Sequence, residues 1–244
     1  MSEFVVELAG CKIGVHALYE STCEYCGEYL SEGKETILVS VARADIDLER
    51  EKSACESIQE GRRPVAHSAA YLETIAVQRK VVEALYAYDT LLFHGSVVAV
   101  DGQAYLFTAK SGTGKSTHTR LWREMLGERA VMVNDDKPFL QIKEDKVLVW
   151  GSPWNGKHKL GTNICVPLKA ICVLERGEEN VIRPISAVEA LPMLMQQSHR
   201  STDPTAVAKM LQVINKLSTR VRFYRLKCNM DPEAAQVAYN GIFG

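Results

Sequence analysis

The stretch that most constrains this 244-residue chain is AKSGTGKST, residues 109–117. A phosphate-binding loop has the pattern G-x-x-x-x-G-K-[ST], follows a β-strand and opens an α-helix. Gly114, Lys115 and Ser116 match the end of this pattern, and Ala109 stands where its first glycine would be. An apolar run precedes the loop and an amphipathic stretch follows it, so the context that the motif requires is present. The sequence therefore predicts a nucleotide site.

Each position of the loop has a physical role in holding phosphate. Backbone amides wrap around the phosphates, aided by the positive end of the following helix. Lys115 adds a positive charge, and Ser116 offers a hydroxyl to a bound magnesium ion. Ala109 is compatible with this role if its φ is negative and its methyl group points away from the phosphates. The predicted nucleotide-binding residues are Ser111, Gly112, Thr113, Gly114, Lys115, Ser116 and Thr117.

Two adjacent carboxylates, Asp135 and Asp136, follow an apolar strand about twenty residues beyond the loop lysine. One carboxylate at such a strand end holds magnesium, directly or through water. The second can accept a proton from an attacking hydroxyl. The alternative is a solvated turn before Lys137, but the loop nearby favours a metal ligand and a base.

Three further residues are candidates for the site. His94 lies on the strand before the loop strand, and the residues alone leave its role open between structure and chemistry. Lys157 lies in the turn-rich segment WGSPWNGKHKLGTN, which we expect to close over a phosphate or an acceptor; the alternative is an exposed hairpin connection. Arg200 is a candidate contact to the transferred phosphoryl group, against the alternative of a solvated arginine.

The order of the elements predicts an α/β protein. Residues 1 to about 45 have the composition of β-strands, and an amphipathic helix begins near Ser68. Asp101-Gly102 separates two apolar runs and predicts a hairpin, so the strand that feeds the loop is its second arm. We divide the chain into an N-terminal α/β part, residues 1–90, suited to recruiting a partner or substrate, and a nucleotide-handling core, residues 91–244.

Composition argues against several other classes of protein. The net charge of −1 gives no reason to expect binding to nucleic acid or to a membrane surface. No apolar run is long enough to span a bilayer, and MSEFVVELAG lacks the features of a secretory signal, so we expect a cytoplasmic protein. The seven cysteines include one CxxC pair, Cys23 and Cys26, without a second pair at zinc-binding spacing. Reduced, inert thiols are the favoured interpretation, and the role of this pair stays open.

Taken together, FHGS, SGTGKST and NDD resemble the catalytic domain of HPr kinase/phosphorylase and, more distantly, ATP-dependent phosphoenolpyruvate carboxykinase. The resemblance covers roughly residues 90–140 and is strongest to small bacterial HPr-kinase-like proteins, some of which accompany peptide-modification systems. It implies a phosphate loop in a mixed sheet. It also implies that Lys115 and Ser116 bind phosphate and metal, that Asp135 and Asp136 share metal and base duties, and that His94 assists the base or contacts phosphate.

The expected function is therefore a kinase that uses ATP or GTP with Mg²⁺ to phosphorylate a hydroxyl on a peptide, a protein or a small metabolite. The chain has no counterpart of the later HPr kinase loop that contacts its protein substrate, and no substrate-arginine pattern of a carboxykinase. The alternative is a nucleotide-binding switch or assembly module with slow or no hydrolysis. The sequence allows a homo-oligomer and does not name the acceptor.

Overall fold

In a computed structural model of the chain, the described residues are 2–59, 61, 63–199 and 201–243. The chain divides into two compact units, Met1–Ala84 and Leu85–Gly244. The sequence predicts a division near residue 90. Among the described helices, none combines the length and the apolar character needed to cross a bilayer.

In its described residues, the first unit combines a three-stranded sheet with three α-helices. Its sheet has the order β1-β2-β3, with β1 antiparallel and β3 parallel to β2. The helices and strands are β1 (Ser2–Leu8), β2 (Cys11–Ala17), α1 (Glu20–Cys26), β3 (Ile37–Ser40), α2 (Arg43–Gln59) and α3 (Ala69–Leu85). The predicted strands and the helix near Ser68 are present, but the region assigned wholly to strands also contains α1.

A long-range interaction explains why α1 escapes prediction. Its N-cap residue, Tyr19, provides no side-chain cap. Instead the carboxylate of Glu73, which is fully buried on α3, accepts hydrogen bonds from the backbone N–H groups of Leu18 (2.6 Å) and Tyr19 (3.0 Å) and from the Thr22 hydroxyl. The start of α1 is thus satisfied by a residue more than fifty positions away, which local sequence does not reveal.

The second unit is built on a nine-stranded mixed sheet. The path of the sheet is β4-β8-β9-β10-β6-β5-β7, and β12 pairs with both β10 and β11. Its strands are β4 (Thr90–Leu92), β5 (Ser96–Val100), β6 (Gln103–Thr108), β7 (Ala130–Asn134), β8 (Phe139–Ile142), β9 (Val147–Trp150), β10 (Cys165–Arg176), β11 (Val181–Ile185) and β12 (Arg222–Cys228). Its helices are α4 (Lys115–Leu126), α5 (Ala187–Gln197), α6 (Pro204–Ser218) and α7 (Glu233–Phe243).

The strand that leads into the loop, β6, pairs antiparallel with β5 and parallel with β10. Asp101 and Gly102 join β5 to β6, and both have positive φ (49° and 76°), as a two-residue hairpin turn requires. The predicted hairpin is therefore present, and the chain is an α/β protein with a mixed sheet.

The core beneath the loop joins this sheet to α4 and α7. Trp122 of α4 is fully buried and contacts Phe107 of β6 edge to face, with ring centroids 5.1 Å apart. Ala234, Ala235 and Ala238 of α7 belong to the same cluster. This packing holds the start of α4 in a fixed place at the end of β6.

Candidate functional site

The loop leaves β6 at Thr108 and enters α4 at Lys115. Gly112 and Gly114 have φ of 75° and 123°, a region that side chains with a Cβ rarely adopt. The tight inner curve of the loop therefore requires glycine at these two positions, as the sequence suggests.

Ala109, the residue that departs from the motif, is completely buried and belongs to the core cluster of Phe107, Leu121 and Trp122. It is not among the residues with positive φ. Its carbonyl oxygen accepts a hydrogen bond from Lys115 Nζ at 3.2 Å. A methyl group at this position therefore contributes to the core, and the loop does not need glycine at its entry.

The first turn of α4 is suited to an anion. Gly114 is its N-cap and offers no side chain that would satisfy the first amides, and the first turn contains no acidic residue. Open amides and the positive end of a helix attract phosphate. Burial lowers the pKa of Lys115, while the charge of Asp136 opposes this shift and Lys137 adds to it.

The two carboxylates lie just beyond β7, which ends at Asn134. The Asn134 side-chain oxygen accepts hydrogen bonds from the backbone N–H groups of Asp136 (2.8 Å) and Lys137 (2.6 Å), which folds this segment into a turn. Neither carboxylate is therefore constrained to the alternation of a strand, and both Asp135 and Asp136 border the same cleft.

Asp136 pairs with His94, whose Nε2 lies 3.2 Å from Asp136 Oδ1. Backbone hydrogen bonds fix both partners: Gly95 N–H donates to the Asp136 carbonyl and His94 N–H to that of Gln197. Burial raises the pKa of Asp136, but the hydrogen bond to His94 and nearby positive charges outweigh it, so the pKa lies below its usual value. An ionised Asp136 only accepts, so Nε2 carries the shared proton.

The hydrogen bond to Asp136 raises the pKa of His94, whereas burial and the charges of Lys137 and Lys115 lower it. The lowering effects prevail, so the pKa of His94 lies below its ordinary value. At neutral pH the pair is therefore a carboxylate hydrogen-bonded to a neutral imidazole, whose Nδ1 carries a lone pair.

Asp135 has different surroundings. It is buried, and its Oδ1 accepts a hydrogen bond from Gly156 N–H at 2.6 Å. Burial raises its pKa, and the amides of Gly156 and Leu160 oppose that shift in part. Across the described part of the chain, no Lys, Arg or His side chain forms an ion pair with it, so a cation in the cleft would balance its charge.

The segment after β9 reaches the cleft through this contact. A Cβ on Gly156 would lie 3.0 Å from Asp135 Oδ2, so the backbone approaches the carboxylate more closely than other residues allow. Trp154 is buried against Phe139, while Lys157, next to Gly156, lines the cleft. The turn-rich segment is thus anchored at Trp154 and presents Lys157 to the phosphate loop.

One cleft of about 450 Å³ gathers most of the predicted residues. It is lined by His94, Ser111, Gly112, Gly114, Lys115, Ser116, Thr117, Asp135, Asp136, Gly156 and Lys157. Of the other predicted residues, Thr113 borders a neighbouring cavity, and Arg200 lies outside the described residues.

Two residues of this region were not singled out from the sequence. Arg176 ends β10, which runs parallel to β6, and its guanidinium donates a hydrogen bond to the Gly112 carbonyl. Its place beside the loop follows from the pairing of β10 with β6, so no local sequence pattern indicates it. Gly156 lies within the segment flagged for Lys157, but nothing in the sequence indicates its contact with Asp135.

The CxxC pair lies in the first unit, on α1. Cys23 and Cys26 are one helical turn apart, and burial raises the pKa of both thiols, that of Cys26 to about 12. In the described residues, no group of three or more His, Cys, Asp or Glu side chains is arranged to hold a metal ion. Both cysteines therefore stay protonated at neutral pH.

Fold and site together define an α/β protein with a phosphate-loop motif at the junction of a mixed sheet and a helix. A family model described as "SynChlorMet cassette protein ScmC" matches residues 65–234. The chain belongs to this family, which differs from the HPr kinase family named from the motifs.

Other comparisons are more distant. No curated protein matches the chain. Among solved structures, the HPr(Ser) kinase/phosphatase from Coxiella burnetii matches with a TM-score of 0.37 and 9% sequence identity, over 61% of this chain and 94% of that one. This is a distant structural relationship only.

Proposed function

We propose that this protein is a phosphotransferase that uses Mg²⁺ and a nucleoside triphosphate to phosphorylate a hydroxyl on a peptide, a protein or a small metabolite. The observation that best supports this proposal is the single cleft in which Lys115, Asp135 and the Asp136–His94 pair meet the glycine loop. The proposal includes an HPr-kinase-like core for the second unit, which the β5–β6 hairpin and the paired carboxylates support.

The triphosphate would lie along the loop. The amides between Gly112 and the first turn of α4 would surround its phosphates, with the positive end of the helix behind them. Lys115 would place its ammonium group against the β- and γ-phosphates. Phosphates would also replace the solvation that Lys115 loses by burial.

Ser116 and Asp135 fit a magnesium site. Both line the cleft and supply oxygen ligands, which Mg²⁺ prefers. Asp135 is a buried carboxylate without a cationic partner among the described side chains, and a divalent ion would compensate its charge. When bound, the ion would neutralise charge that develops on the phosphates.

The Asp136–His94 pair would handle the proton. The acceptor oxygen forms a bond to the γ-phosphorus, the bond from that phosphorus to the β–γ bridging oxygen breaks, and the nucleoside diphosphate leaves with that electron pair. The hydroxyl proton passes to the pair, either to a free oxygen of Asp136 or to His94 Nδ1. Lys157, opposite on the same cleft, would contact the transferred phosphoryl group or the acceptor.

The proposal is tested by following labelled γ-phosphate. The wild-type protein is incubated with Mg²⁺, γ-labelled ATP or GTP, and a peptide, protein or metabolite fraction. The first acceptors to test are products of the cassette named in the family description. We expect Mg²⁺-dependent labelling, reduced about 10²- to 10⁴-fold by Asp136→Asn and more weakly by His94→Gln. The exposed His67→Gln serves as the control. Label transfer that is unchanged in Asp136→Asn contradicts the assigned proton acceptor.

A second candidate function is a nucleotide-binding switch or assembly module. The hydrogen bond between Asp135 and Gly156 favours it, because any ion held by Asp135 would be coupled to the segment that carries Lys157. This alternative predicts tight Mg²⁺-dependent nucleotide binding without label transfer to any fraction. It also predicts that Asp136→Asn leaves the biological role of the protein intact.

A further inference from the structure

A turn at the mouth of the cleft carries three basic residues in a row, Lys157, His158 and Lys159, which we call the basic turn. All three side chains are exposed, and no Asp or Glu of the described chain forms an ion pair with them. Several other exposed cations of the second unit do have carboxylate partners, namely Arg120, Arg129 and Lys216. The positive charge of the basic turn is therefore available to a ligand.

The base of this turn is fixed to a residue of the cleft. The Asp135 carboxylate accepts hydrogen bonds from the backbone N–H groups of Gly156, at 2.6 Å, and of Leu160. The N–H of Lys159 donates to the Gly156 carbonyl at 2.9 Å and closes the turn. The backbone of the basic turn is thus held in place from both ends, while its side chains point into solvent.

The backbone of Lys159 is unusual for a lysine. Its φ is 49°, in the left-handed region, which Gly and Asn adopt more readily than residues with long side chains. Asparagine at this position would therefore remove the charge without straining the turn. This property separates the role of the charge from the role of the backbone.

The nucleotide does not use the whole of the basic turn. In the proposed function, the loop amides and Lys115 bind the phosphates. Lys157 lines the cleft, but His158 and Lys159 do not. A ligand that contacts all three residues must therefore extend out of the cleft. A peptide chain with its hydroxyl in the cleft does so, whereas a small metabolite held within the cleft does not.

The charge of the second unit also favours an anionic acceptor. This unit has 20 Lys and Arg residues against 15 Asp and Glu, while the first unit has 9 against 15. The net charge of −1 for the whole chain hides this difference. A positive field around a cleft attracts anionic ligands. Trp154, the aromatic residue that precedes the basic turn, is buried, so it offers no ring on which nucleic-acid bases could stack.

We propose that the basic turn binds carboxylates on either side of the acceptor hydroxyl, so that the acceptor is an acidic peptide or an acidic segment of a protein. The inference rests on the proposed function and narrows its acceptor to one chemical class. One exposed ion pair changes affinity by about 1.4- to 5-fold, so the whole turn should favour an acidic acceptor over a neutral one by about tenfold. Salt should weaken this preference, because it screens exposed charges.

Fluorescence anisotropy with matched peptides tests this inference. Three short fluorescent peptides carry a central serine flanked on both sides by Glu, by Gln or by Lys. Each is titrated with wild-type protein in the presence of Mg²⁺ and a non-hydrolysable nucleotide at low ionic strength. We expect the Glu peptide to bind about tenfold more tightly than the Gln peptide, and the Lys peptide to bind most weakly.

Variants of Lys159 connect this preference to the basic turn. Lys159→Asn should weaken the Glu peptide about two- to fivefold, without lowering nucleotide affinity or stability. Lys159→Glu should weaken the Glu peptide further and strengthen the Lys peptide. Lys209→Asn, at an exposed lysine of α6, is the matched control and should bind all three peptides like the wild type.

The outcomes separate this inference from the proposed function. Equal affinity for the Glu and Gln peptides, or binding of no peptide while the nucleotide still binds, overturns the inference and leaves the phosphate site standing. A preference for the Glu peptide that Lys159→Glu does not alter also overturns it. A single-stranded oligonucleotide that binds as tightly as the Glu peptide overturns it too, because the turn would then bind any polyanion. Selective binding of the Glu peptide without Mg²⁺-dependent nucleotide binding instead overturns the proposed function.

Discussion

Acid should destabilise the second unit through His118. This side chain is buried against Phe107 and Trp122, and burial lowers its pKa from 6.5 to about 4. Protonation would also break the hydrogen bond that Nε2 accepts from Trp122. Because the folded pKa is lower than the unfolded pKa, the unfolded chain takes up the proton first as pH falls. Stability is therefore complete above about pH 6.5 and is lost progressively towards pH 4.

The magnitude follows from the size of the shift. A difference of one unit between the folded and unfolded pKa of a group changes the free energy of unfolding by at most about 1.4 kcal/mol. At pH 4.5 the unfolded imidazole is almost fully charged, while the folded one is still largely neutral. His118 alone should then lower the free energy of unfolding by about 2 to 3 kcal/mol relative to pH 7.

Urea unfolding followed by tryptophan fluorescence measures this effect. All three tryptophans, Trp122, Trp150 and Trp154, lie in the second unit, so the signal reports on that unit alone. The drop in stability between pH 7 and pH 4.5 should be about 2 to 3 kcal/mol smaller in His118→Gln than in the wild type. The exposed His158→Gln, in the same unit, should show the wild-type drop. If His118→Gln and the wild type lose the same stability, burial does not hold His118 neutral in the folded protein.

Three further substitutions probe particular contacts. Ala109→Gly should lower the stability of the second unit by about 1 to 2 kcal/mol, because it removes a buried methyl group and increases the entropy of the unfolded chain. Nucleotide affinity, measured by calorimetry, should change less than twofold. A large change in affinity would contradict a purely structural role for Ala109. Glu73→Gln should lower the free energy of unfolding by about 2 to 4 kcal/mol, because a glutamine side chain cannot accept all three hydrogen bonds. It should also speed hydrogen exchange at the backbone N–H groups of Leu18 and Tyr19. Unchanged exchange at these two groups argues against the cap. Gly156→Ala should raise the Mg²⁺ concentration for half-maximal nucleotide binding about tenfold or more. The added methyl group strains the hydrogen bond from Gly156 N–H to the Asp135 carboxylate, which is worth about 1.5 to 3 kcal/mol. If the Mg²⁺ requirement is unchanged, Asp135 is not part of the metal site.

The sequence predicts those features whose causes are local. The Asp101-Gly102 hairpin follows from two residues that tolerate positive φ, and the loop follows from a short motif between a strand and a helix. The hairpin predicts that the loop strand has an antiparallel neighbour, whereas the mixed sheet was implied by the resemblance of FHGS, SGTGKST and NDD to HPr kinase. The sequence required only that the methyl group of Ala109 point away from the phosphates, and the structure places this residue in the cluster around Trp122.

Features that depend on distant partners were not predictable in this way. The sequence could not divide roles between Asp135 and Asp136, because their difference arises from Gly156 on one side and His94 on the other. Likewise, the position of Arg176 at the loop depends on the parallel pairing of β10 with β6, which no local pattern reveals.

The central claim, a Mg²⁺-dependent nucleotide site at the loop, is tested most directly by calorimetry on wild type and Lys115→Ala. Lys110→Ala, at an exposed lysine of the same loop that does not line the cleft, is the matched control. We predict that ATP or GTP binds to the wild type and to Lys110→Ala only with Mg²⁺ present, and that Lys115→Ala binds at least tenfold more weakly while unfolding like the wild type. Absence of Mg²⁺-dependent binding in the wild type, or equal binding in Lys115→Ala, would contradict the account.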